Sequence, residues 1–211
     1  MVKLAVQAML GKKLKDSKYG IGLLPESKLY AVKVPVFSGE KFADVDTYLG
    51  PEMKSTGEVL GVDLELDVAI YKGFLASNTD IPLQGGLYVS LKDVDKEEAV
   101  DIIKEYEKLG FKIYTSKGTG KYLDKNGIEN QVIDNKSTLK RITEKEINIV
   151  INTPTIGNDL TSGAFKIRRK AAEYRVPVFT CIDTAKVFLV AIEVKKSGKT
   201  INYRTINYYI D

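Results

Sequence analysis

Three short clusters in this 211-residue chain gather hydroxyl, amide and cationic side chains directly after apolar runs. They are Ser90 with Lys96 a few residues on, Ser116-Lys117-Gly118-Thr119-Gly120, and Asn152-Thr153-Pro154-Thr155. Glycine lets backbone N–H groups approach an anion, hydroxyls donate to phosphate oxygens, and a following helix turns its positive end towards them. Lys96 and Lys117 add charge, and Asn152 has the donors and the acceptor to hold a base or a sugar. The chemistry these residue types fit is the binding of a phosphorylated small molecule. The alternative for Ser-Lys-Gly-Thr-Gly is a plain strand-to-helix turn with a hydroxyl cap.

Other chemistries are excluded by the same inventory. Histidine is absent. That removes the usual general base near neutral pH, and with it serine–histidine or cysteine–histidine nucleophiles and histidine zinc sites. Neither a P-loop nor G-x-G-x-x-G occurs. The single cysteine, Cys181, ends an apolar run and is expected as a small core residue. One thiol cannot form an internal disulfide, which fits a reducing cytoplasm. Glu52 and Glu58 flank Lys54 in a glycine-bracketed loop, where they are expected to hold the loop rather than to catalyse. Arg168 and Arg169 are expected as solvated helix charges or an interface pair, with direct anion binding as the alternative.

Bringing such clusters side by side takes a parallel sheet, whose ligands bind beyond the carboxyl ends of the strands. The apolar runs at 147–151 and 176–181, with a helical segment at 164–174 between them, form a strand–loop–helix–strand unit. Upstream, strands at 86–91, 111–115 and 130–133 alternate with helices at 93–109 and 121–126, and a last helix covers 183–194. Gly110 and Gly127 stop their helices. Residues 134–146 read as a loop with a helical turn, and the tail from 195 to 211 as an added edge strand. The fold class is therefore α/β, an open doubly wound sheet of five parallel strands within 84–194. Residues 1–78 offer a helix ending near 11–15, a strand at 29–37, a polar loop at 50–61 and a helix at 63–76, a core too small to stand alone. The expected division is 1–78 and 79–211.

Composition sets the class of ligand. Apolar residues make up 44% and charged ones 28%, as in ordinary soluble domains. No apolar run approaches the roughly 18 residues that span a bilayer, and the opening stretch reads as an amphipathic helix rather than a cleaved leader. Residues 1–67 carry nine bases against ten acids, and the remainder 23 against 18. The surplus in the second part favours a small anion. Its bases are spread among helices, which speaks against nucleic acid and against a membrane as partner.

Gly50-Pro51-Glu52-Met53-Lys54-Ser55-Thr56-Gly57-Glu58-Val59 resembles a ten-residue signature near the end of each synthetase half of the carbamoyl-phosphate synthase large subunit. Ile151-Asn152-Thr153-Pro154, with the run from Lys166 to Tyr174, is similar to that subunit's carboxy-terminal allosteric domain, which has a methylglyoxal-synthase-like fold. The order of the two blocks agrees as well. The resemblance implies a carboxy-terminal fragment, with 1–78 the end of the second ATP-grasp half and 79–211 the regulatory domain. The parent would be a cytoplasmic, ATP-dependent ligase of pyrimidine or arginine biosynthesis, making carbamoyl phosphate from ATP, bicarbonate and glutamine-derived ammonia with Mg or Mn. Its partners would be the rest of the large subunit and a glutaminase small subunit, and homo-oligomers occur in the family. The fragment alone is expected to hold no cofactor, no metal site and no catalytic residue.

By the same resemblance a nucleotide effector such as UMP or IMP would contact Ser90, Lys96, Ser116, Thr119 and Asn152, with Lys117 and Thr153 adjoining. A family lysine falls on Asn135 and a family threonine on Pro154. A family glutamate that binds ornithine falls on Val34, so ornithine activation is not expected, although Thr180 keeps the partnering threonine. Two alternatives stand beside the regulatory domain. One is a free-standing lyase of methylglyoxal synthase type, which would need a histidine where Lys117 stands and an acid where Thr153 stands. The other is a structural or oligomerisation domain.

Overall fold

The computed structural model describes residues 1–23, 25–37, 53–154 and 162–209. Its centre is a sheet in which β3 (Gly85–Ser90), β4 (Phe111–Thr115), β5 (Gln131–Val132), β6 (Ile147–Asn152) and β7 (Val178–Phe179) all run parallel, in the order β5-β4-β3-β6-β7. The chain moves outwards from β3 to β5, then returns to the other side of β3 to lay down β6 and β7. Strand order therefore reverses between β3 and β6, and the crevice beyond their carboxyl ends is where such sheets bind ligands. The five-stranded parallel sheet expected from the sequence is the one observed.

Alternation along each strand divides the core between two faces. Leu87 and Val89 of β3 and Ile149 and Ile151 of β6 pack with α2 (Leu66–Ala76), α3 (Lys96–Lys108), α4 (Lys117–Lys125) and α7 (Ile182–Lys196). Tyr88 and Val150 face the other way, onto α5 (Asn135–Thr143) and α6 (Gly163–Glu173). Tyr106 of α3 is fully buried, and its hydroxyl donates to the Ala185 carbonyl of α7 at 2.8 Å. Among the described residues no helix is long and apolar enough to cross a membrane.

The first third adds α1 (Val2–Met9) and an antiparallel hairpin of β1 (Tyr30–Val36) and β2 (Gly57–Asp63). Gly61 lets β2 press directly onto α2, since a Cβ there would stand 2.0 Å from the Ala69 carbonyl oxygen and 2.5 Å from the Gly73 nitrogen. Helix α2 in turn packs on α7, so Ile70 and Phe74 belong to the same core as the parallel sheet. The Phe74 ring meets Phe188 edge-on at 5.1 Å.

Several local expectations are corrected. The stretch from Gly57 to Gly61 is strand rather than loop, while Gly50, Pro51 and Glu52 lie outside the described residues. Helix α4 begins at Lys117, four residues earlier than expected, because the glycines of Ser-Lys-Gly-Thr-Gly sit inside its first turns. Residues 135–143 form a full helix, α5, whose N-terminus is capped by Asp134 accepting from the Ser137 N–H at 2.7 Å. The tail adds no strand among the described residues. It is irregular from 199 to 205 and then forms a 3-10 turn, Ile206–Tyr209.

Candidate functional site

Ser90 and Asn152 meet at the reversal point. They are register partners at the ends of β3 and β6, and the Thr153 N–H donates to the Ser90 carbonyl at 3.1 Å. Ser116 lies one strand over, its N–H donating to the Val89 carbonyl at 3.2 Å. Two threonines brace the loop that leaves β3. Thr119 Oγ1 accepts from the Leu91 N–H at 2.9 Å and from Ser116 Oγ at 3.2 Å. Thr153 Oγ1 accepts from the Lys92 N–H at 3.0 Å. Both threonines are buried, so these hydroxyls shape the crevice by fixing its loop.

The cationic part of the cluster stands at the start of α4. The first helical hydrogen bond there runs from the Gly120 N–H to the Ser116 carbonyl at 2.8 Å, and the preceding N–H groups have no intrahelical partner. The Ser116 side chain makes no capping bond to them. The Lys96 amine lies close by, 3.8 Å from where a Cβ on Gly118 would be. Its side chain is only 12% exposed and pairs at 2.5 Å with Asp93, whose own side chain is 93% exposed. So solvated a carboxylate gives up an ion pair at little cost. An incoming anion would therefore find a helix N-terminus, a serine hydroxyl and a shielded ammonium together. Lys117 is exposed at the first position of α4.

Gly120 is required where it stands. A Cβ there would come within 2.6 Å of both Thr115 Oγ1 and a Val132 methyl. At the neighbouring helix ends Asn135 packs over Gly163, where a Cβ would lie 1.8 Å from the Asn135 amide nitrogen. Asn135 thus joins the starts of α5 and α6. Pro154 follows Thr153 and is half-buried, and Thr155 lies outside the described residues.

Two expectations about single residues are corrected. Arg168 and Arg169 are buried. Arg168 donates from Nη1 to Asn152 Oδ1 at 2.7 Å, and Arg169 from Nε to Glu173 at 3.3 Å. The Lys170 amine beside Glu173 holds that carboxyl below its ordinary value, against the opposing effect of burial. Cys181 is exposed at the N-terminus of α7, not packed in the core. A helical wheel would have signalled Arg168, since it shares a face with Ala171 three residues on. Tyr88 also escaped sequence reasoning. Burial pushes its phenol up, and the Ser90 and Thr138 hydroxyls beside it pull the other way. Glu58, expected in a loop, stands on β2 and pairs across the hairpin with Lys33 at 2.7 Å.

Parallel strands with a strand-order reversal between β3 and β6 define a class of open α/β domains. Residues 98–180 match the family described as MGS-like domain. Along nearly its whole length it is related to the C-terminal part of the carbamoyl phosphate synthase large chain. It is 57% identical over 99% of its residues to the large chain of Clostridium acetobutylicum, covering 20% of that protein. It is 42% identical over 99% of its residues to that of a Thermoanaerobacter species, and 42% over 93% to that of Clostridium botulinum, covering 19% of each. The chain thus spans about a fifth of the length of the curated relatives it matches.

Proposed function

We propose that residues 79–211 bind a phosphorylated effector of nucleotide type and that the chain serves as the regulatory part of a carbamoyl phosphate synthase large chain. One observation carries the reading. Ser90 and Asn152 end adjacent strands at the strand-order reversal, and one strand over from Ser90, Ser116 precedes the α4 N-terminus, with the Lys96 amine close by. These groups donate hydrogen bonds and carry positive charge, which suits holding a phosphate; with no histidine in the sequence, they are poorly equipped to transform it. Residues 1–78 would be the end of the second ATP-grasp half. In the whole enzyme, ATP with Mg or Mn, a glutaminase subunit and the rest of the large chain would supply the synthesis of carbamoyl phosphate. Effector binding would act by favouring one state of that enzyme over another, as allosteric coupling requires.

Calorimetric titration with UMP and with IMP tests this. Saturable binding of at least one nucleotide is expected, weakened about tenfold or more by Lys96→Ala. Lys145→Ala, at the opposite end of the sheet, should leave the affinity unchanged. Absence of binding to either nucleotide, or binding indifferent to Lys96, would refute the effector reading.

A further inference from the structure

Asn152 is 1% exposed at the end of β6, and Arg168 of α6, itself 4% exposed, donates to its Oδ1 at 2.7 Å. A guanidinium only donates. The amide therefore cannot turn over, because the reversed orientation would set N–H against N–H. Its nitrogen is left with two hydrogens, and among the described residues no hydrogen bond takes them up. A buried donor without an acceptor is costly and calls for a partner. Asn152 itself ends β6 at the strand-order reversal, as the register partner of Ser90.

We infer that Arg168 is a positioning residue that fixes Asn152 as a hydrogen-bond donor, and that the ligand of this site places an acceptor oxygen or ring nitrogen against it. The inference rests on the effector reading and extends it from the charge of the ligand to the polarity of one of its atoms. Lys96 and the start of α4 select for an anion. Asn152, so held, selects among anions for those with an acceptor at a second point, and disfavours any that would present an amine there. Discrimination by a buried polar group is steep, since the wrong partner leaves it unpaired.

The test uses Asn152→Asp, Asn152→Ala and Arg168→Met in the full chain, each unfolded with urea and titrated with UMP, IMP and inorganic phosphate. Aspartate keeps an acceptor for Arg168 and makes it a charged one, so Asn152→Asp should be at least as stable as Asn152→Ala. It has lost the donor and gained a charge that repels phosphate. Nucleotide affinity should therefore fall about tenfold or more. If Asn152→Asp binds nucleotide as the wild type does, while Lys96→Ala does not, the effector reading stands and the donor role is overturned; the amide hydrogens then belong to water. Stability losses of Asn152→Ala and Arg168→Met that merely add in the double variant would overturn the positioning role, with or without ligand. A wild type that takes up neither nucleotide refutes the effector reading and the ligand half of this inference together.

Discussion

Thr119 shows how one side chain can shape a binding crevice from within the fold. Its hydroxyl accepts the Leu91 N–H at the exit of β3 and the Ser116 hydroxyl at the exit of β4. Thr119→Val keeps the shape and removes the acceptor, stranding a buried N–H. It should destabilise the chain by about 1–3 kcal/mol in chemical denaturation, and Thr119→Ser should recover most of that. Equal stability of the valine variant and the wild type would show that the bond contributes nothing. At this scale the positions of Ser90, Ser116 and Asn152 at the ends of β3, β4 and β6 were legible before any fold was known, because each follows an apolar run. Partners were not. Arg168 looked like a solvated charge until β6 placed Asn152 opposite it, and Cys181 looked like core because it closes an apolar run that α7 turns outwards.

Among the elements, the hairpin and α2 depend on backbone approaching backbone. Gly61→Ala would drive a methyl group into the Ala69 carbonyl. Backbone cannot yield as a side chain does, so the loss should be about 2 kcal/mol or more, read from thermal unfolding. Gly57→Ala makes the control, since a Cβ there would meet only the Val36 Cβ at 4.0 Å. A similar small effect of both substitutions would argue against the tight strand-on-helix contact. Sequence reasoning took these glycines for loop punctuation, and for the same reason began α4 too late. In both places glycine marks a close approach inside a regular element. Helix α5 was missed for another reason: its apolar side consists of little more than Leu139 and Ile142, with Thr138 buried beside them. The long periodic helices and apolar strands left no such ambiguity.

For the whole molecule, the question is what joins the hairpin unit to the parallel sheet. Lys72 of α2, 9% exposed, donates to Asp63 at 2.6 Å, to the Val62 carbonyl at 3.3 Å and to the Asn202 carbonyl of the tail at 2.7 Å. Lys199 pairs with Glu65 at 2.5 Å from the same side. Lys72→Met keeps the stem but strands the Asp63 carboxylate, and should cost roughly 1–3 kcal/mol in denaturant unfolding. The effect should also depend on pH. Burial alone would raise the Asp63 pKa, but the Lys72 amine and the Glu65 N–H hold it below its ordinary value. A carboxylate depressed on folding adds stability above its unfolded pKa and loses it as pH falls through the folded one. Wild type should thus lose more stability than Lys72→Met between about pH 6 and pH 3. Parallel pH curves would exclude the pair as a contributor. This strap was not legible in the sequence, because no local pattern announces that a lysine will meet a carbonyl 130 residues away.

That separation also sets an order of events during synthesis. Helix α2 is made before its cover, since the residues that pack on it in α7 and the tail come up to 130 positions later. At about 5–20 residues per second the delay is on the order of ten seconds. For that time Phe74, which ends edge-on against Phe188 of α7, lacks that partner. The nascent hairpin unit is then the stretch most in need of a chaperone or of neighbouring chain, and its folding is completed only when the tail arrives.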